Sequence, residues 1–422
     1  MIKDSNNYIL ANNLKFAFKK TSSPVAYCAL TVAAGSRVED LKFAGLAHMC
    51  EHMLFKGTKF HTARYINSVI ENLGGELNAY TSKEEIVIYS TVLNEDLHKA
   101  IRLLFELAFT SIFPEKQLEK EKQVVLDEIS SYEDSPAELI YDDFEERLFK
   151  GTDLSHSVLG TEETVKRISP EVLLNYIRKY FVPENISFTV VANTDQERVK
   201  RLVNAAVNKF YTASLSSTLD LTSHVSRNIA EKAEAELSYI PFTDSLTKDT
   251  HQAHCIIGTK GFSYYQEDRI PLAFLINILG GPASNSKLNM ALRERHALVY
   301  SVEASYNQFC ETGCVSIYFG SDKEDVEKCI NLIYNEIKLI TKIAPTEKAL
   351  RAYKKQFLGQ MTIAVDNAEN NCLSMGKSLM VYGNIKNTED IKKEILDITA
   401  EKLLEIGRKI LAKDRLSTLI YI

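Results

Sequence analysis

The sequence predicts an α+β protein of two homologous domains, each a mostly antiparallel sheet packed with helices. Three observations predict it. The chain has 422 residues, too many for one ordinary core. Similar segments recur in the same order roughly 230 residues apart, the mark of an internal duplication. Strand-like and helix-like segments do not alternate strictly, which disfavours a parallel doubly wound sheet.

Each half reads strand, helix, helix, hairpin, long helix, further helices, strand. In the first half a strand contains Ile88-Tyr89, and Glu95-Asp96 leads into a helix with Leu97, Ala100, Ile101 and Leu104 at helical spacing. In the second half Ile317-Tyr318 and Glu324-Asp325 lead into Val326, Cys329, Ile330 and Ile333. Glu115-Lys116-Gln117-Leu118 parallels Glu347-Lys348-Ala349-Leu350. Ile168-Ser169 parallels Ile398-Thr399, and Ser169-Pro170 is a helix start, with Ser as cap and Pro in the first turn. The halves end in strands at Ile186 to Val191 and Leu416 to Tyr421. Domains are expected at 1–211 and 237–422. The linker is expected at 212–236, where Ser and Thr cluster and apolar periodicity is lost.

Composition excludes several classes. With 45% hydrophobic and 25% charged residues the chain is neither disordered nor fibrous. A net charge of −6 offers no basic footprint for nucleic acid. No run of about 18 apolar residues suggests a membrane span. Met1 to Leu10 lacks the basic-then-apolar layout of a secretory signal, so a cytoplasmic location is expected. Seven scattered cysteines suit a reducing compartment. Cys310 and Cys314 lie in hairpin-like sequence without a second Cys/His pair, so they carry no metal expectation.

His48-Met49-Cys50-Glu51-His52 places two histidines at i and i+4, on one helix face, where both can bind one ion. Glu51 and Phe55 share that face, Leu46, Met49, Cys50 and Met53 form the packing stripe, and Gly57 reads as a C-cap. Catalytic zinc usually takes three protein ligands and keeps one position for water, so a carboxylate is wanted from elsewhere. Glu121 and Glu128 lie seven apart on a helical segment, about 10.5 Å along its axis. Both cannot bind one ion; one must support the other, and spacing does not choose. The duplication is an internal control: Tyr353 stands for Glu121, Gln360 for Glu128, and the helix at Leu272 to Leu279 has no histidine. These side chains are therefore dispensable for folding such a domain.

The chain resembles the pitrilysin/insulinase superfamily of inverted-motif zinc peptidases, most of all its short, processing-peptidase-like two-domain members. The likeness runs through Gly35-Ser36-Arg37, Gly45 to Thr58, Asn78-Ala79-Tyr80-Thr81-Ser82, Glu121, Glu128, Tyr132-Glu133-Asp134 and Leu159-Gly160-Thr161-Glu162. It implies a peptidase holding one Zn2+ per chain through His48, His52 and Glu128, with Glu51 as general base and Glu121 in support. It implies that Phe55 lines a substrate subsite and that Asn78-Ala79 lies on an edge strand to which a peptide adds. In the second half, Arg293 and Tyr300 are seven apart, as the family's Arg/Tyr pair requires. Arg293 would grip peptide carbonyls and Tyr300 would donate to the oxyanion. Two departures are local: His296-Ala297 replaces a usual glycine, and Gly280-Gly281-Pro282 stands where a glycine run is common.

The resemblance also implies a chamber of four such domains enclosing unfolded oligopeptides or leader peptides. This chain supplies two, so a second chain is needed. A homodimer suffices, and a heterodimer is the alternative. The rival reading is a non-catalytic scaffold or partner subunit of a peptidase or respiratory-type complex, but such subunits typically lose ligand residues and here all are retained. A different zinc hydrolase on the same helix geometry is disfavoured by the Asn78-Ala79 strand.

Overall fold

The structure is a computed structural model and describes residues 6–10, 12–215, 239–248 and 250–422. The first half of the chain contains β1 (Asn6–Ile9), β2 (Lys15–Lys20), β3 (Val25–Val32), α1 (Leu46–Leu54), α2 (Ala63–Val69), β4 (Glu76–Thr81) and β5 (Ile86–Leu93). It continues with α3 (Leu97–Thr110), α4 (Glu115–Glu133), α5 (Pro136–Leu148), α6 (Glu162–Lys166), α7 (Pro170–Tyr180), β6 (Ile186–Ala192) and α8 (Gln196–Leu215). The second half contains β7 (Thr243–Leu246), β8 (Ala253–Gly261), α9 (Arg269–Gly280), β9 (Val299–Gln308) and β10 (Gly313–Ser321). It ends with α10 (Val326–Lys342), α11 (Glu347–Asp366), α12 (Ala368–Tyr382), α13 (Thr388–Asp397), α14 (Ala400–Ile410) and β11 (Ser417–Tyr421).

The two sheets share a five-strand topology, to which the first adds β1 at one edge. The first runs β1-β2-β6-β3-β5-β4 and the second β7-β11-β8-β10-β9. In each, one pair is parallel (β2 with β6, β7 with β11) and the rest are antiparallel. Ile88 pairs with Leu30 as Ile317 pairs with Ile257, so the duplication read from the sequence is a duplication of register. The α+β class with two homologous sheets is observed. Ser169 caps α7 by accepting from Val172 N, with Pro170 in the first turn.

The compact units are not continuous in sequence. Of the described residues, one takes those within 6–130, 156–215 and 363–388; the other takes those within 131–155, 239–362 and 389–422. A single division of the chain therefore does not reproduce them, and the 212–236 linker lies outside the described residues from 216 onward. The cause is an exchange of helices. In the first unit α12, from the second half, covers the sheet with Cys372, Met375 and Leu379 against Ala17, Ala29 and Val191. Ser187 and Thr189 on β6 donate to the carbonyls of Gly376 and Cys372. In the second unit α5, from the first half, packs Ile140, Phe144 and Leu148 against Ile256, Leu419 and Tyr421. The other face of the first sheet carries α1, α3 and α8 over a core that includes Leu30, Met49, Phe105 and Phe188. Among the described residues no helix is long and apolar enough to cross a membrane. All seven cysteines are buried, and none forms a disulfide among the described residues.

Candidate metal centre

The first turn of α1 is held by a buried carboxylate. Glu39 accepts from Gly45 N (2.8 Å) and Ala47 N (2.9 Å), two amides that have no partner within the helix. His156 Nε2 lies 3.2 Å from the same carboxylate. Burial raises the pKa of Glu39, and these partners pull it back. Gly160 of the Leu159-Gly160-Thr161-Glu162 motif has φ +74° and packs so closely on the chain before α1 that a Cβ would sit 2.1 Å from Ala44 O. The helix then buries Leu46, Ala47, Met49, Cys50, Met53 and Leu54. That leaves His48, Glu51 and His52 on the open side. Phe55 caps the helix and packs, half-buried, on the core, while Gly57 follows with φ +134°.

His48, His52 and Glu128 meet: one ligand atom from each lies within 4.8 Å of the others. Glu128 Oε2 is 3.8 Å from His48 Nε2 and 3.6 Å from His52 Nε2, and the two rings stand edge to face with centroids 4.6 Å apart. Four atoms around one zinc at its usual bond lengths lie about 3.3 Å from one another, so this spacing is that of a loosely gathered ligand set. The chemistry fits as well. Burial, helped by the neighbouring His52, pushes the His48 imidazole down to about 4, so it is neutral and its lone pair needs no proton removed. His52 Nδ1 faces Glu121 Oε2 at 3.3 Å, which places the proton on Nδ1 and leaves Nε2 as donor atom. Glu121 is nearly buried, and its other oxygen sits 2.7 Å from Lys56 Nζ. His48 Nδ1 is buried and has no hydrogen-bond partner among the described residues.

Glu51 lies beside the cluster. Its Oε2 accepts from Thr81 Oγ1 at 2.5 Å. Burial raises its pKa and Glu128 adds to that, while Thr81 and His52 act the other way. Asn78 and Ala79 lie on β4, which is the edge of the first sheet and pairs only with β5. Ala79 turns to the core side and Asn78 is exposed on the other.

Residues 15–162 match the model of the family described as Insulinase (Peptidase family M16), and residues 167–357 match the family's Peptidase M16 inactive domain. The chain belongs to peptidase family M16. It is 30% identical to an uncharacterized zinc protease of Bacillus subtilis, over 92% of this chain and 91% of that one. It is also 30% identical to an uncharacterized zinc protease of Rickettsia bellii, over 93% and 91%. In fold it is similar to a protease from Helicobacter pylori (TM-score 0.89, 18% identity, 99% of both chains). It is also similar in fold to a Pseudomonas fluorescens structure described as a peptidase M16 inactive domain (TM-score 0.87, 19% identity, 99% and 97%).

Among the described residues the second M16 unit has no such cluster. Its helix pair α9 and α11 is joined by an amide hydrogen bond, Asn277 Nδ2 donating to Gln360 Oε1 at 3.0 Å. Gln360 is the residue that stands for Glu128. Arg293 and Tyr300 also belong to this unit. Arg293 forks onto Glu294 through Nε and Nη2 (3.0 and 2.9 Å), and Tyr300, the second residue of β9, is 88% exposed. Ala297, where the resemblance expects glycine, adopts φ +51°, so the loop keeps a glycine-like backbone without the glycine.

The sequence reading did not single out Lys56, Glu39 or His156. Lys56 had a weak signal, four residues past His52 on the same face. Glu39 and His156 had none, because their role depends on a loop returning to the start of α1.

Proposed function

We propose that this M16 protein is a zinc metalloendopeptidase acting on unfolded oligopeptides or leader peptides, with one Zn2+ per chain bound by His48, His52 and Glu128. The observation that carries the proposal is the meeting of these three donors from two helices, beside Glu51, in one unit while the duplicated unit closes the same helix pair with an amide bond. A zinc ion held there supplies Lewis acidity and acidifies water.

The chain's own residues do the rest. Glu51 takes the proton of the attacking water and passes it to the leaving amine. Burial makes its carboxylate more basic than an exposed one, which suits that task. Glu121 orients His52 through Nδ1. Main-chain groups at Asn78 and Ala79 on the edge of β4 accept the extended peptide as an added strand, and Phe55 lines a side-chain subsite. From the second unit, Arg293 grips peptide carbonyls and Tyr300 donates to the oxyanion, roles that rest on their motif. Assembly as a homodimer completes the chamber that the family resemblance implies.

Glu51→Gln tests the reading. Cleavage of a quenched peptide should fall on the order of 10²- to 10⁴-fold with zinc content unchanged. Parental turnover, or loss of the metal in that variant, would reject the base assignment.

A further inference from the structure

We propose that Thr81 is a positioning residue: its hydroxyl sets the Glu51 carboxylate and ties it to the peptide-accepting strand. The inference rests on Glu51 being the general base. Thr81 is the last residue of β4, and its Oγ1 donates to Glu51 Oε2 at 2.5 Å, a short charge-assisted bond. Among the described residues this is the only hydrogen bond the Glu51 carboxylate makes. One oxygen is thereby held and the other left free for a proton.

The support is stiff. Thr81 is β-branched, which restricts χ1, and its backbone is fixed opposite Ile86 in the β4–β5 ladder. Strand alternation puts its side chain on the same side as Leu77 and Ala79, which pack on the core that carries α1. The bond therefore joins the helix bearing the base to the strand whose outer edge lies two and three residues earlier, at Ala79 and Asn78.

The duplicated unit again serves as a control. Val315 stands for Ile86, and the residue opposite it on β9 is Tyr306. Its hydroxyl donates to Phe262 O, a backbone group. A threonine reaching for a carboxylate is present only in the unit that has the carboxylate.

The test uses the full zinc-loaded chain carrying Thr81→Val, Thr81→Ser or Glu51→Gln, with zinc content, melting temperature, kcat and KM on one quenched peptide. Thr81→Val should lower kcat on the order of ten- to a hundredfold. Zinc content and melting temperature should match the parent and KM should stay within about twofold. Thr81→Ser, which keeps the hydroxyl, should recover most of the kcat. Should Thr81→Val fail to fold, Thr81→Ala against Thr81→Ser makes the same comparison. Parental kcat in Thr81→Val, equal loss in the Val and Ser variants, or a drop in bound zinc overturns the proposal. If Glu51→Gln is inactive while Thr81→Val is not, only the positioning role fails; if Glu51→Gln is fully active, the base reading fails first.

Discussion

Glu121→Gln separates the two carboxylates between which the sequence spacing alone could not choose. In the structure Glu121 spans His52 Nδ1 at 3.3 Å and Lys56 Nζ at 2.7 Å, while Glu128 faces the Nε2 atoms of both histidines. The glutamine keeps the shape of Glu121 but removes its charge. The imidazole then loses the anion that polarises its N–H and strengthens its opposite nitrogen as a donor. Lys56, with a side chain 25% exposed, loses its ion-pair partner but remains open to water, so little of the cost falls on folding. Removing such a supporting carboxylate costs about 10- to 100-fold in metal affinity, which is about 1.4–2.8 kcal/mol. Glu128→Gln would remove one of the three proposed ligands and should cost far more. The assay is zinc competition against a chromophoric chelator at fixed pH, run on both variants. A larger loss in Glu121→Gln than in Glu128→Gln, or parental affinity in Glu121→Gln, would refute the assignment of roles.

Two further variants probe the scaffold and the second unit. Gly160→Ala places a Cβ 2.1 Å from Ala44 O and 2.8 Å from Gly45 N at a φ of +74°, so backbone must move at the start of α1. It should lower stability by about 2–4 kcal/mol in urea unfolding and weaken zinc binding with it; parental values of both would show that the contact is slack. Tyr300→Phe should lower kcat by roughly 10²-fold at unchanged zinc content and melting temperature, measured on a quenched peptide; an active variant would remove the oxyanion role.

Periodicity made the helices legible, and the His48/His52 spacing made one face of α1 legible as a ligand face. The register of the duplication was legible too, because Ile88 and Ile317 sit in strands of the same order. The cover of each sheet was not. Ile140, Phe144 and Leu148 announce an amphipathic helix, and Cys372, Met375 and Leu379 announce another, but an apolar stripe does not say which sheet it meets. Local patterns also could not reach contacts made by returning loops. Thr81 is 30 residues from Glu51, and His156 is 117 residues from the Glu39 carboxylate that it faces.

The exchange of α5 and α12 bears on how such a protein arises and how it comes apart. Severing the chain between the halves would leave each main core within one fragment but strip one face of each sheet of the helix that covers it. Each fragment would then present the apolar sheet face that α12 or α5 covers in the intact chain. The arrangement has the geometry of a domain swap between two repeats of one chain.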